Sequence, residues 1–223
     1  MKQKYILSIL SGLFCIPVFS QHSSPDDSLS IHNLSDNPQA IQLFMKAEKF
    51  FEKEKYTKAA KYYAEAYRVD TTITDALDNA GVSYRRAYEM DSAIYYYKKS
   101  LVKNAGNTNI LLNLSLVYIY EEMYTDAIET LNTLLDLYPD DASALYHLGL
   151  VYSFTGQYER AIHYGDLAFT QWLPINSDKA QQSALLVCES FISLNNKDSA
   201  AAYYKKAQEK GMKPADSFKD LGL

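Results

Sequence analysis

Apolar and small residues return along this chain at fixed distances. Leu145, Gly149 and Tyr152 stand at i, i+4 and i+7, a spacing that places them on one face of a helix. A step back of about 34 residues lands on Leu111, Ser115 and Tyr118. Further steps land on Leu77, Gly81 and Tyr84, then on Leu43, Ala47 and Phe50. Ala161 steps back in the same way to Ala127, Ala93 and Ala59. These alanines open a second i, i+4, i+7 set: Tyr63 and Ala66, Tyr97 and Ser100, Leu131 and Leu134, Gly165 and Ala168. A fifth copy follows after five extra residues, with Ala184, Cys188, Phe191, Ala200, Tyr204 and Ala207 in the same slots. Each copy predicts two helices joined by a short turn.

The helix ends agree with this register. Asn37-Pro38 reads as an N-cap followed by proline at the first helical position. Asp140 and Asp141 are placed to cap the helix holding Leu145, and Gly156 sits in the turn of the fourth copy. Thr57, Asp91, Thr125 and Asp198 stand just before the second helices, where a capping side chain is useful. Residues 21–37 are polar and aperiodic and read as a flexible leader. The tail, 215–223, is expected to fold Phe218 and Leu221 over the last helix, because a terminal repeat has no neighbour to cover its apolar side.

This pattern resembles the tetratricopeptide repeat (TPR) family over roughly residues 40–214. The fourth copy, LYHLGLVYSFTGQYERAI, carries the leucine, small residue, tyrosine, turn glycine and alanine, and the third ends LDLYPDD with Pro139 in the family's proline slot. The first two copies depart from it, with Thr71 and Ala105 in that slot, and Gly165 replaces an aromatic. The resemblance implies an all-α fold, a right-handed superhelical solenoid of about five helix-turn-helix repeats over 38–214. The copies are near 40–73, 74–107, 108–141, 142–175 and 181–214. Small side chains at 47, 81, 115, 149 and 188 would let the second helix of a pair approach the first. That close packing offsets the helix-weakening cost of Gly149, about 1 kcal/mol; overpacking there would cost about 1–3 kcal/mol.

The first twenty residues stand apart from the repeats. Lys2 and Lys4 precede the apolar run YILSILSGLFCIPVF, and polar sequence follows Ser20. This is the layout of a secretory signal peptide, with cleavage expected after Ser20. The run is too short and too broken for a confident membrane span. An uncleaved anchor or a cytosolic N-terminal helix is the alternative. Lipid attachment at Cys15 is not expected, because Leu13-Phe14 departs from the small residues a lipobox resemblance requires. The chain is therefore expected to be exported, periplasmic or secreted from a bacterium. Cleavage would leave Cys188 as the one cysteine and rule out an internal disulfide. The formal net charge of -5 argues against nucleic acid, which needs clustered basic surface.

Candidate chemistry is sparse. Cys188 fills the slot held elsewhere by alanine, glycine and serine, so it reads as a packing residue. His22, His32, His147 and His163 lack HxxxH or CxxC spacing and read as surface or partly buried polar positions. No nucleophile elbow, phosphate loop or dinucleotide fingerprint occurs, and no cofactor or metal is expected. Asn33-Leu34-Ser35 and Asn113-Leu114-Ser115 match the glycosylation sequon by accident, the second falling on a packed helix face. In Tyr62-Tyr63, Tyr95-Tyr96-Tyr97 and Tyr203-Tyr204, one tyrosine of each group fills a core slot, and the others are expected at helix edges.

One feature lies outside the repeat slots. Leu112, Leu116, Ile119 and Tyr120 make a second apolar stripe, turned by about 100° from the packing stripe. Tyr146, Leu150 and Phe154 stand at matching places in the fourth copy. The resemblance places first helices on the concave side, which puts this stripe on an inner groove able to bury a partner's side chains. Contact with a neighbouring repeat or with the leader is the alternative. Asp75, Asp78, Arg85 and Arg86 occupy the same face of the second copy and would orient a peptide by charge. Asn79 and Asn113 recur in the family's asparagine slot, but basic residues are not arrayed around them, so no carboxylate clamp is expected. These features predict a non-enzymatic exported protein that binds another protein or peptide. The competing expectation is a self-associating or structural subunit of an envelope assembly.

Overall fold

The computed structural model describes residues 35–213, 216–219 and 221–222. The expected signal peptide, and the expected leader up to residue 34, lie outside the described residues. Among the described residues every regular element is an α-helix, and none is long and apolar enough to cross a membrane. The expected all-α fold of paired helices is what the structure shows. The packed pairs are α1 (Pro38–Glu52) with α2 (Tyr56–Val69), α3 (Asp75–Arg86) with α4 (Met90–Lys103), α7 (Ala142–Phe154) with α8 (Tyr158–Trp172), and α9 (Ser177–Ser193) with α10 (Lys197–Glu209); α5 (Thr108–Tyr120) and α6 (Tyr124–Leu137) stand between the second and third of these along the chain. A single turn, α11 (Asp216–Lys219), follows.

The chain forms two compact units, one ending at Glu121 and the other beginning at Glu122. That boundary falls inside the expected third copy, after α5 and before α6. In the first unit, Phe44, Ala47, Ala59, Tyr63, Ala66, Ala76 and Leu77 lie in one buried cluster. In the second, Ala184, Cys188, Ala200, Ala207, Met212 and Phe218 form another. Phe218 is fully buried and stacks on Tyr204 with ring centroids 4.3 Å apart.

Four of the five first helices are closed at their start by side chains, α3 being the one that is not. Asn37 accepts from the Gln39 and Ala40 amides with Pro38 at the first helical position, Asn107 from Ile110, Asp141 from Ala144, and Asn176 from Asp178 and Lys179. Second helices differ from expectation. Thr57, Asp91, Thr125 and Asp198 lie one residue inside their helices and do not cap them. The cause is the turn before them. Glu54, Tyr88, Glu122, Gly156 and Asn195 all adopt a left-handed backbone, with φ of 55, 59, 58, 77 and 57°. The next amide then folds back onto the preceding helix: Lys55, Glu89, Gln157 and Asn196 donate to the carbonyls of Phe50, Tyr84, Tyr152 and Phe191 at 2.8–2.9 Å. That closure satisfies the first helix's open carbonyls and starts the second helix at once. Among these second helices only α10 gains a side-chain cap, from Asn196 to the Ser199 amide.

The glycines of the second unit explain one another. A Cβ on Gly149 would stand 3.3 Å from the Gly165 amide nitrogen and 2.9 Å from Leu186 Cδ2. A Cβ on Gly165 would stand 2.7 Å from Val187 Cγ2. Helices α7 and α8 therefore meet glycine to glycine, and Leu186 and Val187 of α9 close over the pair. The second helix does approach the first, as expected, but the tightest contact at Gly149 comes from the following repeat.

The expected leader, 21–37, is tied down at its end. Ser35 is buried, donates from its hydroxyl to the Asp70 carboxylate, and accepts the Asn37 amide at 2.9 Å.

Candidate interaction surface

Within the first unit the sequence-predicted residues lie on α3 and α5. Helix α5 is apolar around most of its circumference, so it has no strongly polar face to turn to water. A helix of that kind is packed on several sides. Leu116 and Ile119 accordingly keep only 6% and 1% of their surface exposed, while Leu112 and Tyr120 are half-buried. Leu116 and Ile119 are thus core side chains of α5, not the open lining expected of them. Tyr120 sits beside Tyr88 with ring centroids 6.3 Å apart.

The expected orienting charges are largely turned inward. The Asp78 carboxylate accepts the Ser100 hydroxyl of α4 and the Asn107 side-chain amide at 2.9 Å, and Asn107 itself caps α5. Three helices of the first unit are therefore tied at one carboxylate. Burial pushes the Asp78 carboxyl up to about 6, against the lowering effect of its two hydrogen bonds, and neighbouring Asp75 adds to the rise. Arg85 is 1% exposed, and its guanidinium lies beside the Tyr97 phenol. Burial raises that phenol to about 12 while the arginine charge pulls the other way. Asp75 is exposed and Arg86 half-buried. Asp78 and Arg85 thus work inside the fold rather than on a peptide-orienting surface, because charges on a packed helix face must find internal partners. A serine in the Ala66–Leu134–Ala168 slot was the available signal, since a hydroxyl in a core position needs a hydrogen-bond partner.

In the second unit, Tyr146, Leu150 and Phe154 lie on α7. This helix too is apolar on nearly every side and packs against α6, α8 and α9. Leu150 is 1% exposed and Tyr146 is buried, so neither is open lining. Phe154 stays half-buried against Tyr124, with ring centroids 6.3 Å apart. His147, expected at a surface or partly buried position, is buried; desolvation lowers it to about 3, so it is neutral. His163 is exposed on α8. Cys188 is enclosed, its thiol 3.6 Å from the Ala200 carbonyl and pushed up to about 12 by burial. Among the described residues no group of three or more metal-ligating side chains converges. Sequence reasoning missed Glu189 of α9, half-buried and close enough to Tyr146 to raise its phenol.

Comparison with known proteins agrees with this architecture. Two family models, each described as tetratricopeptide repeat, match residues 110–141 and 130–163. The chain is 32% identical over 92 residues to the BBSome complex member BBS4 homolog of Drosophila melanogaster, covering 41% of this chain and 19% of that protein. It is 33% identical over 103 residues to the anaphase-promoting complex subunit CDC16 of Saccharomyces cerevisiae, covering 43% and 12%. The chain thus spans a fifth or less of the curated relatives it matches. Among solved structures it is similar in fold to MamA 41-end from Desulfovibrio magneticus RS-1, with a TM-score of 0.69 at 18% identity over 79% of this chain and 97% of that one.

Proposed function

We propose that this chain, which matches tetratricopeptide-repeat models over residues 110–163, works without catalysis, by binding another protein or peptide against the first helices of its repeats. The observation that carries this reading is the apolar surplus on those helices. Leu112 and Tyr120 of α5, and Phe154 of α7, are large side chains outside the packing slots and stay half-buried. Burying such a side chain under a partner is worth about 1.5–3 kcal/mol when complete, so partial burial supplies a share of that. The expected apolar lining is accordingly narrowed to Leu112 and Tyr120 in the first unit and, separately, to Phe154 in the second, since Leu116, Ile119, Tyr146 and Leu150 are buried in the fold.

The test is a variant carrying Leu112→Ser, Tyr120→Ser and Phe154→Ser, compared with wild type for retention of a cross-linked partner identified by mass spectrometry. Loss of that partner at unchanged helicity is the expected result. Retention by the triple variant would remove these positions from consideration.

Export belongs to the same proposal. It rests on Lys2, Lys4 and the apolar run that follows them. Intact mass of protein from the native host should correspond to a chain beginning at Gln21; a mass that includes residues 1–20 counts against export by cleavage.

A second reading is a fixed subunit of a larger or self-associated assembly. It is favoured by the two curated relatives, both named as members of multi-subunit complexes. A concentration-independent dimer in light scattering would favour it.

A further inference from the structure

The slot one residue after each small packing residue holds Glu48, Val82, Leu116, Leu150 and Glu189 along the chain. Three of the five are apolar, and the first and last are carboxylates. Glu189 lies on α9 of the second unit with Leu185 and Ile192 at i−4 and i+3, one helical face, and all three are half-buried. The Tyr146 phenol of α7 is close enough to feel its charge. Among the described residues no lysine, arginine or histidine forms an ion pair with Glu189. Burial alone holds its carboxyl above the ordinary range, with no cation opposing the rise. A carboxylate in that position costs the fold stability, and a cation from outside would recover it.

Glu48 repeats the situation independently in the first unit. It is half-buried on α1, without an ion pair among the described residues, and both burial and Glu52 raise it.

We propose that the α7–α9 face of the second unit receives a basic and apolar segment of a partner protein, a lysine or arginine pairing with Glu189 while neighbouring apolar side chains rest on Leu185 and Ile192. This rests on the interaction role proposed above and names the chemistry of the segment. Charge complementarity selects the occupant: a half-buried lone carboxylate between apolar side chains repels an acidic segment and leaves a purely apolar one with an unpaired charge beneath it.

The experiment uses the full chain and three fluorescently labelled twelve-residue peptides, alternating Lys/Leu, Glu/Leu and Lys/Ser, read by anisotropy. Expected is binding of the Lys/Leu peptide, weaker binding of Lys/Ser, and none of Glu/Leu. Glu189→Gln should weaken the Lys/Leu peptide about tenfold. Glu209→Gln, which removes an equal charge at an exposed site, should leave it unchanged. Glu189→Lys should gain binding of the Glu/Leu peptide. Equal Lys/Leu binding by wild type and Glu189→Gln, equal loss in Glu209→Gln, or no binding of Lys/Leu to wild type overturns the proposal. Thermal melts of each variant separate lost binding from lost folding. Should the Ser triple variant lose its partner while Glu189→Gln keeps it, the general interaction role stands and the basic segment is rejected.

Discussion

A side chain with a Cβ resists the left-handed backbone, by roughly 1–2 kcal/mol for ordinary residues. Yet Glu54, Tyr88 and Glu122 all adopt it at the turn between paired helices, where the fourth copy has Gly156. Glu122→Gly should therefore stabilise the protein by about 0.5–1 kcal/mol, the relief of strain exceeding the added freedom of the unfolded chain. Urea denaturation would show it as a higher midpoint at unchanged slope, and a lower midpoint would contradict it. The helical glycines make the opposite demand. A Cβ on Gly81 would lie 2.5 Å from the ring of Tyr97, which is fully buried. Gly81→Ala should cost about 1–2 kcal/mol despite alanine's better helix propensity. Gly149→Ala should be nearer neutral, because its closest obstacle is the methyl end of Leu186. The small-residue slot was legible from its recurrence alone. The reason for Gly165 was not, because the side chain that crowds it belongs to a different copy, and no periodicity within one helix reveals such a contact.

At the scale of helices, capping was readable where one polar residue ends a loop and opaque where two helices share a turn. Asn37 and Asp141 cap as their position before an apolar run suggests. The second helices begin from a folded-back amide, which leaves no sequence signature beyond an unusual residue in the turn. Asn37→Ala should cost about 1 kcal/mol. Asn107→Ala should cost more, since Asn107 both caps α5 and donates to Asp78. Comparable losses in the two variants would show that the second bond adds nothing. The same node gives a pH dependence. The Asp78 carboxyl is raised from 3.8 to about 6, so the folded state favours its protonated form. Its contribution to stability is complete below about pH 4 and is lost as pH rises through 6. At about 1.4 kcal/mol per unit, that loss is on the order of 2–3 kcal/mol. Asp78→Asn should flatten this part of the stability profile in denaturation series from pH 4 to 7. The open stripe was misread for a related reason. A row of leucines tells which residues avoid water, but whether a neighbouring helix or a partner covers them depends on contacts that periodicity does not encode.

For the whole chain, the recurring register foretold an all-helical protein, while the division at Glu121–Glu122 has no counterpart in the repeat spacing. Repeat proteins draw their stability from each pair and its neighbours, so damage at an end should stay near that end. Phe218→Ala removes the ring that covers Tyr204 and should destabilise the second unit by about 2–4 kcal/mol. Hydrogen exchange should then quicken in α9 and α10 and stay unchanged in the first unit; a uniform rise in exchange would show that the two ends are coupled. Sealed beneath that same end is Cys188, enclosed between α9 and α10 with its thiol held protonated. A disulfide reagent can reach it only when the terminal pair breathes apart, so its labelling rate times that opening. The chain thus carries its own stopwatch for the event that Phe218 restrains, readable without adding a dye or a tag.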